Sequence, residues 1–453
     1  MKSKAITKGT PLETEKISKL IVMFSVPSII SMVVNALYNI VDQIFIGQGV
    51  GYLGNGATNV VMPMTVIVLA FALLVGDGAA AYLSLKLGEG NGEAAAKGIG
   101  NALSATILIG IALCIIFNIF LEPLCILFGA TEGSLPYAMD YGRIISFGVL
   151  FAAISAGMSG IIRADGNPKY TMAGLLVGCI VNIILDPIFI FVFHWGVKGA
   201  ALATIIGQII NAIIYIAYIR KIKSVKLDKS SFVFSKNVLA KVCSLGISSF
   251  ITQIALVVIM AVSNNILVAY GAKSIYGSDI PLTTMGITMK VNQIITAVII
   301  GLSTGAQPII GYNYGCGQKD RVKQTYRIIL SVATIFLVLA FCIFQFAPMS
   351  IIRLFGSESD LYNDFAVKCF KIYLLACPLN GLQMVTGVLF QAIGKPVQAT
   401  ILSLSRQIIY FIPATILLPI ILGVDGGLWA GALADVLAFV TTLIILKIYW
   451  KKL

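Results

Sequence analysis

Residues 76–93, GDGAAAYLSLKLGEGNGE, are answered by residues 303–320, STGAQPIIGYNYGCGQKD. Gly78-Ala79, Gly88, Gly90 and Glu93 return as Gly305-Ala306, Gly315, Gly317 and Asp320 at a constant offset of 227, about half of the 453 residues. Further along, Gly166-Asn-Pro168 is matched by Gly394-Lys-Pro396 at an offset of 228. Leu185-Asp186-Pro187-Ile188 is matched by Leu417-Leu418-Pro419-Ile420 at 232. A duplication of this length in an apolar chain predicts two matched bundles that rock about a site held between them, the architecture of a membrane transporter.

Composition excludes an ordinary soluble globule: 58% of residues are hydrophobic and 11% charged, with a mean hydropathy of +0.96. Residues 1–19 are polar, and the apolar run after Leu20 is too long for the core of a signal peptide, so the first span is expected to be retained. Apolar runs divided at Gly, Pro and charge clusters predict twelve spans, near 20–47, 54–85, 98–120, 137–161, 169–193, 199–219, 242–270, 283–312, 324–346, 362–390, 397–420 and 427–448. Each is near or above the roughly 20 residues that cross a bilayer core. Pro27, Pro63, Pro187, Pro308, Pro413 and Pro419 fall within spans, where each removes a helix hydrogen bond and permits a bend.

The expected fold class is thus an all-α membrane protein of two six-helix lobes related by a parallel repeat around a central cleft. Its divisions are a terminal segment 1–19, an N-lobe 20–220, a linker 221–241 and a C-lobe 242–453. The net charge of +13 follows from topology. With the N-terminus inside, inner segments hold 24 of the 32 Lys and Arg, outer segments five, and Arg143, Lys290 and Arg406 lie within spans. The positive-inside rule therefore puts both termini in the cytoplasm. Lys221, Lys223, Lys226, Lys229 and Lys236 in the linker then meet anionic lipid headgroups rather than nucleic acid. Eight cysteines without a CxxC pair and one histidine, His194, argue against disulfides, zinc and any cofactor. No GxxxxGK[ST] is present, which disfavours an ATP-driven pump.

Polar residues inside spans are the candidate site, because they are costly in hydrocarbon and face cavities. Along span 1, Ser28, Ser31, Asn35, Tyr38, Asn39 and Asp42 recur every three or four residues, on one stripe. In span 5, Asn182 and Asp186 share a face. Tyr141 and Thr204, near the starts of inward-running spans, lie at similar depth. Two carboxylates with amide and hydroxyl oxygens suit a small hard cation, or protons shared between the acids. The competing reading is structural, with the acids bonded within the bundle or paired with Arg143. Asp77 is open between a packing and a functional role. The candidate cleft residues are Asn35, Tyr38, Gln253, Asn264, Met289, Lys290, Gln293, Gln307, Gln383 and Arg406, with Met260, Met285 and Met384 as a further adaptable wall. Pro27, on the helix of Asp42, is the candidate hinge.

These residues together resemble the multidrug and toxic compound extrusion family, in its prokaryotic sodium- or proton-coupled branch. The likeness runs through Val26-Pro27-Ser28, Val41-Asp42-Gln-Ile-Phe-Ile-Gly47, Arg163-Ala-Asp-Gly-Asn-Pro168, Asn182-Ile-Ile-Leu-Asp186-Pro187 and Gly199-Ala-Ala-Leu-Ala-Thr204. The resemblance implies export of organic, cationic or amphipathic drug-like molecules by a monomer in the cell membrane, with Na+ or H+ as coupling ion and no enzymatic activity. It also implies a cation site at Asp42, Asn182, Asp186 and Thr204 with Tyr141 beside it, and a bend at Pro27. Some members use acids in spans 7 and 10; Gln253 and Asn264 in span 7 depart from that pattern. A flippase for lipid-linked intermediates is the rival within transport, and a membrane-embedded enzyme the rival outside it. The repeat also fails informatively: Asp42 aligns with Asn264, Asp186 with Leu418, and Thr204 with Asp435, alone in the last span.

Overall fold

The computed structural model describes residues 11–130, 132–277, 279–355 and 360–450; within these, the side chains of residues 52, 53, 55, 260, 261, 264, 279, 282, 354 and 355 are not described. Among the described residues there are helices and turns and no strand. The N-lobe comprises α1 (Ile17–Val50), α2 (Tyr52–Gly88), α3 (Gly92–Ile119), α4 (Leu135–Ala164), α5 (Pro168–Pro187) and α6 (Gly196–Tyr218). The C-lobe comprises α7 (Lys236–Gly271), α8 (Asp279–Gly315), α9 (Lys319–Phe346), α10 (Asp360–Ala392), α11 (Pro396–Leu422) and α12 (Val424–Trp450). Eleven of these are long and apolar enough to cross a membrane unbroken; α10 makes the twelfth as two pieces, Asp360–Tyr373 and Cys377–Ala392, bent by 47°. Large apolar side chains such as Leu108, Ile115 and Ile119 on α3 stay exposed, as expected of helices whose solvent is lipid.

Prolines act as anticipated in kind, with different outcomes in place. α1 runs unbroken through Pro27. After Pro187, α5 continues as a π-turn over Ile188–Val192, and α11 is interrupted by a π-turn over Ser405–Phe411 just before Pro413. The break in α10 falls at Leu374–Ala376, before the Pro378 that opens its second piece. Pro378 cannot donate to the preceding turn, so the ladder stops there.

The repeat glycines have structural causes. Gly90 and Gly317 turn out of α2 and α8 at φ 73° and 76°, and Gly166 and Gly394 turn out of α4 and α10 at 91° and 76°. Such values are strained for any residue with a Cβ. The next helices begin with matched caps: the Asn91 side chain accepts from Ala94 N at 3.0 Å, and Asn167 from Tyr170 N at 3.3 Å.

The lobes meet where α1 crosses α8 and α2 crosses α7 and α8. A Cβ on Gly78 would sit 2.1 Å from the Val242 carbonyl oxygen, and one on Gly246 1.9 Å from that of Leu74. Gly88 and Gly315 face each other across the pseudo-two-fold axis, each Cβ position within 2.9 Å of the other's Cα. Gly301 and Gly305 take the backbone of Ser25–Ile29. All these approaches lie in the half of the bundle that holds the ends of the chain and the linker, called here the linker face. At mid-depth the Phe71 and Phe250 rings meet edge to face at 5.1 Å.

Two straps cover the linker face. The linker is tied to the N-lobe, where Asp165 accepts from the Tyr218 hydroxyl at 2.6 Å and the Ser224 N–H at 3.0 Å, and Asn101 binds Val233 O and Ser235 N. The terminal segment is tied to the C-lobe, where Arg321 donates to Leu12 O and Glu15 O.

Candidate functional site

The site begins with small residues. Gly178 on α5 and Gly207 on α6 back onto each other so closely that a Cβ on either would stand 2.7–2.9 Å from the other's carbonyl oxygen. That contact brings the next turns together. Asn182, oriented to satisfy both ends of its amide, donates to Asp186 Oδ2 at 3.1 Å and accepts from Thr204 N at 3.2 Å. Asp186 is fully buried, Asn182 and Thr204 nearly so.

α1 supplies the second acid. Asp42 is buried, with its carboxylate within hydrogen-bonding reach of Asp186. Its Oδ1 is buried and has no hydrogen-bond partner. Tyr38, one turn earlier, brings its hydroxyl within reach of Thr204 and stands over both carboxylates, and the buried Tyr141 of α4 closes the other side. The five residues read from sequence as a cation site therefore share one pocket, and Tyr38, read as a cleft residue, joins them. Arg143 is exposed and, among the described residues, pairs with neither acid.

Two carboxylates in contact repel strongly unless a proton or cation lies with them. An orphaned buried oxygen beside them is a further unmet demand for a donor or a metal ion. The oxygen-only donor set, from carboxylates, amide and hydroxyls, suits a hard cation rather than a soft one.

The cleft residues divide. Asn35 and Asn39 on α1, and Lys290 and Gln293 on α8, are exposed in the half away from the linker face, with Gly286 open beside them. A lipid-facing stripe would be apolar, so this polar one borders the gap between the lobes. Gln253 is half-buried. Ser28 and Ser31 turn back onto α1, donating to Phe24 O and Pro27 O. Gln383 is buried and donates to Leu402 O near the π-turn of α11. Gln307 is buried, with its Nε2 unpartnered among the described residues. Met289 accepts from the Tyr373 hydroxyl, Met285 is in the core, and Met384 is partly buried. The side chains of Met260 and Asn264 lie outside the described residues.

Two buried ion pairs were not read from sequence. Arg406, expected in the cleft wall, donates to Asp435 at 2.7 Å, so Asp435 is not alone. Asp77 lies 3.9 Å from Arg163 and accepts from Ser249 of α7 at 2.9 Å, which is a packing role across the lobe boundary. Gln391 of α10 extends that link, donating to Leu245 O at 2.9 Å. The partners are far apart in the chain, and only the packing brings them together.

Twelve spans in two repeated lobes, closed together on one face with a paired-carboxylate pocket in the first, define a membrane transporter architecture. The chain belongs to the MatE family, whose model matches residues 27–188 and 249–416. It is 28% identical to the multidrug export protein MepA of Staphylococcus haemolyticus (strain JCSC1435) over 440 residues, 96% of this chain and 94% of that one. MepA of Staphylococcus aureus (strain MSSA476) is 26% identical, with 97% and 96% covered. Among solved structures, the MATE multidrug transporter DinF-BH in complex with rhodamine 6G superposes with a TM-score of 0.88 at 34% identity, covering 96% of each chain. A MOP superfamily transporter from Pyrococcus furiosus, whose binding pocket has reversed polarity, superposes at 0.90 with 22% identity over 98% of each chain and shares the fold.

Proposed function

We propose that this protein is a cation-coupled antiporter that exports organic compounds, cationic or amphipathic, across the cell membrane by alternating access. The observation that carries the reading is the Asp42–Asp186 contact with an unpartnered buried oxygen on Asp42. Such a pocket gains most from a proton or Na+, and it lies on α1, the helix that also packs against the other lobe. In this orientation the linker face is cytoplasmic, both termini are inside, and the closed glycine crossings seal the cytoplasmic end. The opposite half, with Asn35, Asn39, Lys290 and Gln293, opens outward.

Coupling follows from differential affinity: an ion shifts the lobes only if it binds one arrangement better than the other. α1 supplies the means. Residues 25–29 lie on Gly301 and Gly305 of α8, and Pro27 lies within that stretch, where its missing N–H leaves the helix free to bend. An ion at Asp42 that changes the bend of α1 changes its hold on α8 and on cargo between them. Multidrug export is the recorded role of the MepA relatives, and DinF-BH was captured with rhodamine 6G; both favour drug-like cargo over a lipid-linked one. Arg406 is occupied by Asp435, which leaves Lys290 as the one cleft cation among the described residues and little to hold a pyrophosphate.

The test is uptake of rhodamine 6G and of tetraphenylphosphonium into proteoliposomes under separately imposed Na+ and pH gradients. One of the two gradients is expected to drive transport in the native protein and neither in Asp42→Asn or Asp186→Asn. Gradient-driven transport of undiminished rate in either variant would overturn the assignment.

A further inference from the structure

The C-lobe holds one buried charge pair where the N-lobe holds two acids, and the repeat puts the two arrangements in register. Asp435 on α12 corresponds to Thr204 on α6 at the offset of 231. Arg406 on α11 falls, at the offsets of 232 and 228 that bracket this stretch, opposite Gly174 and Gly178 on α5. In the N-lobe those glycines leave no side chain at all: Gly178 is closed by the Gly207 backbone and Gly174 by the Tyr215 ring. In the C-lobe the same place carries a guanidinium, its Nε 2.7 Å from Asp435 Oδ1, with the acid 7% and the arginine 24% exposed. Arg406 is the second residue of the π-turn Ser405–Phe411, and the extra residue of a π-turn re-aims the side chains on it. Tyr373, whose ring is packed on Gly431, stands against both charges, and the Cys377 thiol lies near Asp435.

Burying such a pair costs more than an apolar contact of the same volume commonly would. Charge balance suggests what it is for. The N-lobe pocket has two carboxylates and an orphaned oxygen, hence an unfilled place for positive charge; the C-lobe pocket has one carboxylate and a guanidinium fixed to the chain, hence none.

We propose that Arg406 is a tethered counter-cation that keeps the C-lobe pocket permanently in the charge-compensated condition the N-lobe reaches only by taking up an ion, so that coupling is confined to the N-lobe. The inference rests on the N-lobe reading above. Arg406 acts through Asp435 and is a positioning residue. The C-lobe, with its acid neutralised, moves as a fixed counterpart, and a cycle consumes ions at one pocket. Removing the guanidinium vacates a place that a monovalent cation or a proton can fill, converting the C-lobe into a second ion site of the same chemical class.

The experiment uses the Asp42→Asn/Asp186→Asn protein, in which the N-lobe pocket is disabled, and reads its unfolding midpoint in detergent against Na+ concentration and against pH from 5 to 8. With Arg406 intact, neither variable is expected to move the midpoint specifically. With Arg406→Gln added, the midpoint is expected to become dependent on Na+ or on pH, because a ligand that binds only the folded state raises its stability. Adding Asp435→Asn should remove that dependence. A purely structural ion pair predicts a lower midpoint for Arg406→Gln that neither Na+ nor acid restores; that result would overturn the proposal. So would failure of Arg406→Gln to fold at any Na+ concentration or pH while Arg406→Gln/Asp435→Asn folds. Ion dependence already present in the Asp42→Asn/Asp186→Asn protein with Arg406 intact would instead count against the N-lobe reading, and is distinguishable because it precedes the Arg406 change.

Discussion

The two lobes share a scaffold and differ in their interior charge. Gly90 and Gly166 turn out of their helices as Gly317 and Gly394 do, and Gly78 and Gly305 each receive the backbone of the opposite lobe's first helix. Inside, the N-lobe gathers Asp42, Asn182, Asp186 and Thr204 with Tyr38 and Tyr141, while the C-lobe pairs Arg406 with Asp435. Duplication preserved what sets backbone geometry and released what sets chemistry. The reason is physical: a positive φ or a helix crossing admits only glycine, whereas a buried polar position tolerates any set of groups that balances its charges and hydrogen bonds.

The largest expected effect separates the lobes directly. Asp42→Asn and Asp186→Asn should each abolish gradient-driven transport with unfolding midpoints close to native, since each removes a charge from a pair in mutual repulsion. Asp435→Asn, by contrast, strands the Arg406 guanidinium in the bundle. Loss of one partner of a buried ion pair costs about 3–5 kcal/mol, so it should lower the unfolding midpoint far more. If thermal unfolding ranked the three variants the other way, the contrast between a chemical and a compensated pocket would fail.

Next in size are the crossings that both lobes share. Gly246→Ala puts a Cβ 1.9 Å from the Leu74 carbonyl oxygen. Backbone on both sides has to move apart, and overpacking of this kind costs roughly 1–3 kcal/mol. Because the crossing seals the linker face, the variant should favour the arrangement open on that face, with cysteine labelling in inverted vesicles rising near Ser249 and transport falling at least tenfold. Ser249→Ala breaks only the hydrogen bond to Asp77 across the same boundary, worth about 1.5–3 kcal/mol for a charged acceptor. It should give the same change in labelling to a smaller degree. Equal labelling in native, Gly246→Ala and Ser249→Ala proteins would show that the glycine crossings do not form the seal.

Much of this was legible in the chain. Twelve spans, the parallel repeat and the elbows were readable because helix length in lipid and glycine at φ > 0 are local demands. Within the pocket, Asn182 and Asp186 were readable from spacing on one helix, and Asp42, Tyr141 and Thr204 from matched depth. Tyr38 was on the Asp42 stripe, one turn away, and its place over the acids depends on how α1 rotates against α5 and α6. Asp77 with Arg163, and Arg406 with Asp435, were out of reach, since each pair joins different helices and the π-turn at Ser405–Phe411 shifts the facing of α11. The break before Pro378 had a signal, a proline one turn into apolar sequence, that was given to neighbouring prolines instead.

The smallest expected effect lies outside the membrane and sharpens the contrast between coupled and uncoupled acids. Asp228 caps the short turn Lys229–Phe232 of the linker, accepting from Ser231 N at 3.0 Å and from the Ser230 and Ser231 hydroxyls at 2.7 and 2.9 Å. Those hydrogen bonds, Ser230 foremost, hold its carboxyl below the usual value of 3.8. A depressed carboxyl favours the folded state fully above the unfolded value, and the benefit is lost as pH falls through the lower folded one. Docking of the linker on the N-lobe should therefore be constant from pH 8 to about 5, with amide exchange in residues 229–235 unchanged. Asp228→Asn should speed that exchange modestly at every pH in this range, since the amide keeps an acceptor, and leave transport intact. Any pH-dependence of transport that persists in Asp228→Asn then originates in the bundle. A shift of its midpoint in that variant would mean that the linker, and not the Asp42–Asp186 pocket alone, carries part of the proton response.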